Sequence, residues 1–362
     1  MTRKTLIIAE AGVNHNGSLD MAVDLVDAAA SCGADMVKFQ TFSAKALVTA
    51  SAPRAPYQET NTGDAGSQLE MLERLELDHA AHQALLRRCA EKGIRFLSTP
   101  FDPGSLSFLA HDLDLPVIKL GSSELTNGPL LVDAGRTGKS VILSTGMGTL
   151  AEVERALGAL AFGYSTDAGA APEGAAFDDA WADAKRNGSL KGKVTVLHCT
   201  TAYPTPPDGV NLSAIATMRD AFDLPIGFSD HTPGIAAATA AVALGASAIE
   251  KHITLDRTLP GPDHKASLEP DGFAAMVDAI REVEQVMGTG TKQPHACEEP
   301  NIPIARKSVV AAADIPEGAK FTPENLVIMR PGTGRDPFDY WPLIGRRAKR
   351  DYIAGDLIGE TE

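Results

Sequence analysis

The stretch that decides the fold runs from Ile226 to Lys265: IGFSDHTPGIAAATAAVALGASAIEKHITLDRTLPGPDHK. A short apolar run ends in Ser229-Asp230-His231, a helix of small residues follows, and a second apolar run ends in Glu250-Lys251-His252. That is a strand–helix–strand unit with a histidine at each strand end. In a parallel α/β barrel both histidines face the same mouth, where the loops carry the chemistry. Two imidazoles converging there can hold a divalent metal and leave positions open for a substrate. On this segment alone, two structural histidines at a strand rim fit equally well.

The same rhythm extends back to the N-terminus. Apolar runs at Thr5–Ala9, Met36–Phe39, Arg95–Ser98, Val117–Leu120, Val141–Ser144 and Val194–His198 precede Ile226–Phe228 and Ala248–Lys251. Most are continuous rather than alternating, as strands covered on both faces should be. Helical stretches such as Leu19–Cys32, His79–Lys92 and Leu150–Ala161 separate them. Eight such units in about 285 residues match a (β/α)8 TIM barrel. A doubly wound sheet is the runner-up, but no GxGxxG follows the first strand. Two stretches break the rhythm. Tyr57–Leu77 reads as a polar active-site loop, and Tyr164–Gly192 as an exposed insertion on the helix side without a catalytic part.

The barrel pattern fills residues 1–287, and a polar linker follows at 288–304. Residues 305–362 change texture, with short strands, the similar turns IPEGAKF and IAGDLI, and no long helix. A β-rich domain that small has little core of its own and leans on a partner surface.

A net charge of −14 argues against nucleic-acid partners, which need a basic face. No apolar run is long enough for a membrane span, and the N-terminal one is too short for a signal peptide. The four cysteines are far apart and form no CxxC pair, which fits reduced thiols and a cytoplasmic location.

The residues that close the strands form a consistent set. Lys38 and Lys119 would supply charge to an anion, and Thr99, Ser122, Ser144 and Ser229 would donate hydrogen bonds to it. Glu10, Glu124, Glu250 and Asp263 are acids that could bind hydroxyls, orient a histidine or move a proton. A supporting structural role fits each acid, taken singly, equally well.

The ordered motifs EAGVNHNG, VKFQTF, FLSTPFD, IKLGSSELTN, LSTGMGT, LHCTTAYPTP, GFSDHTPG, EKHITLDRTLPGPDHKASL and MRPGTG span nearly the whole chain. Together they resemble the sialic acid synthase family, which makes nonulosonic acids. The C-terminal domain is similar to that family's antifreeze-like (SAF) module. The resemblance implies a transferase that condenses phosphoenolpyruvate with an open-chain, N-acylated aldose of the N-acetylmannosamine type. The products would be a nine-carbon 2-keto acid and phosphate. It implies a divalent cofactor, Mn2+ or Mg2+, on His231 and His252. The phosphoenolpyruvate contacts would be Lys38, Thr99, Lys119, Ser122, Ser144 and Ser229, with Thr201 where the family commonly carries Asn. The sugar contacts would be Glu10, Gln40, Asn61, Tyr203, Asp263 and Arg330. Catalytic roles would fall to Glu10, Lys119, Glu250 and Glu124, the last as a candidate to activate water. Arg330 would reach a neighbouring subunit's site, which makes the chain a domain-swapped homodimer.

The runs YQETNTGDAGSQLEMLERLELD and CTTAYP resemble legionaminic acid synthases more than animal-type sialic acid synthases. The expected product is therefore legionaminic or N-acetylneuraminic acid, with a pseudaminic acid synthase as the alternative. Two readings stand further off. One is a barrel aldolase or isomerase on a phosphosugar, with Lys119 or Lys38 as a Schiff base. The other is a non-catalytic binding protein.

Overall fold

Eight parallel strands form one ring in the first of the chain's two units, Met1–Thr289 and Gly290–Glu362. The computed structural model describes residues 4–55, 58–59 and 66–359. The strands are β1 (Leu6–Gly12), β2 (Met36–Thr41), β3 (Arg95–Pro100), β4 (Val117–Leu120), β5 (Ser140–Ser144), β6 (Val194–Cys199), β7 (Ile226–Asp230) and β8 (Ala248–His252). The ladder runs β3-β2-β1-β8-β7-β6-β5-β4, and β4 lies against β3 to close the barrel. Each expected strand is present, lengthened by at most a few residues.

Side chains alternate across each strand. Outward residues such as Ile7, Val37, Phe96, Ile118, Val196, Phe228 and Ile249 join the main core under the helices. Inward residues Ile8, Met36, Leu97, Ile142, Leu197 and Ala248 form a separate apolar plug inside the ring. Gly227 occupies that inner layer because nothing larger fits. A Cβ there would lie 2.5 Å from Leu197 Cδ2 and 2.6 Å from the Ala248 carbonyl oxygen.

Two expectations change. The 57–77 stretch holds a helix, Gln68–Leu75, opened by a capping box between Ser67 and Glu70. Its Met71, Leu72 and Leu75 pack with Val13 and Phe42, so the segment is an amphipathic wall rather than a polar loop. Tyr57 lies outside the described residues. The 164–192 stretch is mostly exposed, as expected, but folds in part as the helix Ala176–Asn187. It buries Trp181, whose indole N–H donates to Glu154 at 2.6 Å, and packs on Leu150–Ser165, where Gly158 lets the Phe177 backbone approach.

The turn after β1 ties two mouth loops together. The Asn14 amide donates to the Ile253 carbonyl and to Ser267 Oγ. Gly17, at φ +77°, leaves room for the Arg74 carbonyl oxygen, which a Cβ would meet at 2.3 Å. Buried His15 accepts the Gly17 N–H on Nδ1 at 3.0 Å, which requires the neutral ring. Burial, helped by His82 and His264, pushes His15 down from about 6.5 to about 4. A pKa depressed in the folded state gives stability that is present above pH 6.5 and lost as pH falls towards 4. By pH 4.5 this histidine alone is expected to cost about 2–3 kcal/mol. Urea unfolding at pH 7 and 4.5 checks this: His15→Gln should lose less stability than the wild type between the two. Equal losses would contradict it.

The second unit pairs β9 (Ser308–Ala311) antiparallel with β10 (Leu326–Met329). Its own small core contains Val309, Ile315, Phe321, Leu343 and Tyr352. Gly318 and Gly355, both at positive φ, turn the two similar loops. Trp341 is 71% exposed and therefore not a core residue.

Candidate active site

Two residues above the apolar plug, the inward positions become polar on every strand. Glu10 follows Ile8, Lys38 follows Met36, Thr99 follows Leu97 and Lys119 follows Val117. Ser144 follows Ile142, Cys199 follows Leu197, Ser229 follows Gly227 and Glu250 follows Ala248. All eight line one cavity of about 410 Å3 at the C-terminal mouth. Gln40, Ser122, Thr201, Tyr203, His231, His252 and Asp263 line it as well. The period of two that hides apolar side chains below therefore sets the chemistry above.

The four charged side chains form a row. Lys38 Nζ lies 2.8 Å from Glu250 and 3.4 Å from Glu10, and Lys119 Nζ lies 3.9 Å from Glu250. Lys119 also donates to Ser144 Oγ at 2.6 Å and to the Leu120 carbonyl at 2.9 Å. Ser229 donates to Glu250 at 2.9 Å. Burial raises Glu10 to about 8, with Lys38 opposing and Glu250 adding to the rise. Burial also draws Lys119 down to about 8. For Glu250 the burial effect is outweighed by Lys119 and Lys38, which hold the carboxylate ionised. Burial of Lys38 is likewise outweighed by Glu10 and Glu250, which keep it charged. Near neutral pH the row thus carries more lysine charge than carboxylate charge, with a proton on Glu10. That balance suits an anionic ligand. Thr99 Oγ1 is buried with no hydrogen-bond partner, a donor free for such a ligand.

The histidines meet at the same mouth. Their ring centroids are 5.5 Å apart, and the Tyr203 ring lies 4.1 Å from His231 and 5.8 Å from His252. His231 Nδ1 donates to the Thr200 carbonyl at 2.8 Å, leaving Nε2 with a lone pair. His252 Nδ1 is buried without a partner. Burial lowers the pKa of both rings, with the His231 charge adding to the effect on His252. Neutral imidazoles with an unused nitrogen fit a divalent cation. Among the described residues no cluster of three or more His, Cys, Asp or Glu is arranged to hold a metal, so the pair would need oxygens from substrate or water.

Some expected residues fall elsewhere. Glu124 does not line the cavity, and its carboxylate accepts from Ser123 Oγ and Asn127 Nδ2. Asn61 lies outside the described residues. Arg330 belongs to the second unit, exposed, with Nε donating to the Ala305 carbonyl at 3.0 Å. Asp263 is buried in the cavity wall, and burial lifts it to about 6. Cys199 was given no role in the sequence, yet its thiol sits 3.2 Å from Ser122 Oγ. Its inward place on β6, two residues after Leu197, is the signal that could have found it. One wall of the cavity is apolar, built from Leu47, Val48, Met71, Leu72, Leu75 and Phe101.

A family model described as the NeuB family matches residues 25–292, and one for the SAF domain matches residues 306–361. The chain is 44% identical to an N,N'-diacetyllegionaminic acid synthase of Campylobacter jejuni, over 99% of this chain and all of that one. It is 41% identical to an N,N'-diacetyllegionaminic acid synthase of Legionella pneumophila, over 97% and 92% of the two chains. The crystal structure of an N-acetylneuraminic acid synthetase from Leptospira borgpetersenii superposes with a TM-score of 0.67 at 31% identity. That match covers 83% of this chain and 91% of that one.

Proposed function

The chain belongs to the NeuB family, and on that premise we propose that it condenses phosphoenolpyruvate with a 2,4-diacetamido-2,4,6-trideoxy aldose to give a legionaminic-type acid and phosphate. The observation that carries this reading is the convergence of Lys38, Lys119 and four hydroxyls with a neutral histidine pair in one buried cavity.

Lys38, Lys119, Thr99, Ser122, Ser144 and Ser229 bind the phosphate and carboxylate of phosphoenolpyruvate, with Thr201 beside them. Charge-assisted hydrogen bonds are the strong ones in such a site. Glu250 keeps both lysines in place. Glu10, Gln40, Tyr203 and Asp263 hold the open-chain sugar with its aldehyde over the enol. Carbon 3 of the enol attacks the aldehyde carbon and a C–C bond forms. Glu10, which holds a proton near neutral pH, donates it to the aldehyde oxygen. The attack leaves carbon 2 of the former enolpyruvate positive, and water adds there, its proton passing to the carboxylate that Glu10 has become. The new hydroxyl then becomes the keto C=O as the bond from carbon 2 to the phosphate oxygen breaks, and its proton leaves with the phosphate. His231 and His252 are the residues that would hold Mn2+ or Mg2+, whose chemistry when bound is to withdraw electrons from the aldehyde oxygen.

The apolar wall supports the sugar choice. A 6-deoxy sugar with two acetamido groups presents methyl surface that Met71, Leu72, Leu75 and Phe101 can cover. A free 6-hydroxyl set against those apolar side chains would lose hydration. The two relatives at 44% and 41% identity point the same way.

Arg330 is assigned to the site of a second copy. The test is co-expression of an Arg330→Ala chain with a His252→Ala chain. In a swapped dimer one of the two mixed sites carries both defects and the other carries neither, so activity returns. Verified mixed dimers no more active than either parent would place Arg330 at its own chain's site or at none.

A further inference from the structure

The residues just before the two histidines, Asp230 and Lys251, are charged and fully buried, with neither side chain exposed to solvent. Strand alternation turns them away from the cavity that Ser229, His231, Glu250 and His252 line. They are cross-strand partners in the β7–β8 ladder. Lys251 Nζ donates to Asp230 Oδ2 at 2.8 Å and to the Thr232 carbonyl oxygen at 2.5 Å. The other Asp230 oxygen accepts the Thr232 N–H at 2.8 Å. Three hydrogen bonds therefore bracket His231, and the side chain that supplies two of them leaves the backbone one residue before His252. Beyond this clamp, the His231 carbonyl accepts from Thr205 N, and the His252 carbonyl accepts from Leu268 N.

A buried ion pair is a poor source of stability, because an apolar pair of similar volume commonly serves as well or better. Its geometric effect is the more specific one, since it fixes the turn at His231 to the end of β8. We propose that Asp230 and Lys251 are positioning residues that set the separation and orientation of the His231–His252 pair. This rests on the reading that those histidines hold a divalent cation.

The test uses the full chain, stripped of metal and titrated with Mn2+, with free Mn2+ read by electron paramagnetic resonance. Asp230→Leu/Lys251→Met removes the clamp without leaving a lone buried charge. Asp230→Asn keeps the shape and removes one charge. Each is expected to fold, by circular dichroism, and to bind Mn2+ roughly 10–100-fold more weakly than wild type, the range for losing a group that orients a metal ligand. A purely structural role would lower the urea midpoint and leave the Mn2+ affinity of the folded protein unchanged. Either folded variant within twofold of wild-type affinity would overturn the proposal and leave the metal reading intact. Failure of both to fold would overturn it too, by making the pair a requirement of the fold. A wild-type chain that binds no Mn2+ would remove the metal reading and this proposal with it.

Discussion

His252→Ala is expected to lower condensation by roughly a thousandfold or more while the barrel stays folded. Electrophilic assistance at the aldehyde is worth several kcal/mol of barrier, and each 1.4 kcal/mol is about tenfold in rate. One remaining imidazole cannot hold the cation against water. The fold should survive, because His252 Nδ1 makes no hydrogen bond and the backbone pairing of β8 with β1 and β7 is untouched. Phosphate release and far-UV circular dichroism measure the two halves of this expectation. Unchanged turnover in the variant, or full wild-type activity in excess chelator, would sink the metal-dependent mechanism.

Lys119→Met should be the next most severe change. The side chain is almost wholly buried, so methionine fills its volume while removing one positive charge and the donor to Ser144. Losing one charge-assisted contact to phosphate or carboxylate costs about 2–4 kcal/mol, which is roughly a 30- to 1000-fold fall in kcat/KM for phosphoenolpyruvate. Stability should change little, because Glu250 keeps Lys38 at 2.8 Å. Steady-state kinetics with varied phosphoenolpyruvate decide the matter, and normal parameters would remove Lys119 from the site. The same variant addresses the Schiff-base alternative. Trapping of a substrate adduct by borohydride in the wild type, absent in Lys119→Met, would favour that chemistry instead.

The barrel was legible because each buried strand announces itself twice. It is a continuous apolar run, and a polar residue ends it where the inward face reaches the mouth. Lys38 after Met36 and Lys119 after Val117 are instances, and the cavity gathers them as that pattern requires. The helix Gln68–Leu75 was harder to see. Its apolar face is short, Met71, Leu72 and Leu75 with Leu69 beside them, set among charged residues and next to a Gly-containing stretch that reads as loop. The helix Ala176–Asn187 was hidden for a different reason. Alanine packs closely without a strong hydrophobic signal, and Phe177 and Trp181 are the large apolar side chains that mark the packed side. Glu124 closes β4 much as the other acids close their strands, but the hydrogen bonds its carboxylate accepts from Ser123 and Asn127 are not announced by that position. Asp230 and Lys251 carry charges that read as rim polarity in sequence. Only the paired register of β7 and β8 brings them together out of water.

The most direct measurement of the central claim is phosphate release from phosphoenolpyruvate by the metal-loaded full chain, offered 2,4-diacetamido-2,4,6-trideoxymannose and N-acetylmannosamine in parallel. The expected result is stoichiometric phosphate and a nine-carbon 2-keto acid, abolished by chelator, with the trideoxy sugar favoured in kcat/KM by roughly tenfold or more, the scale on which an apolar wall rejects a hydroxyl it cannot pair. Equal or better use of N-acetylmannosamine would overturn the sugar assignment. No phosphate release with either sugar, from a folded, metal-loaded chain, would contradict the condensation itself.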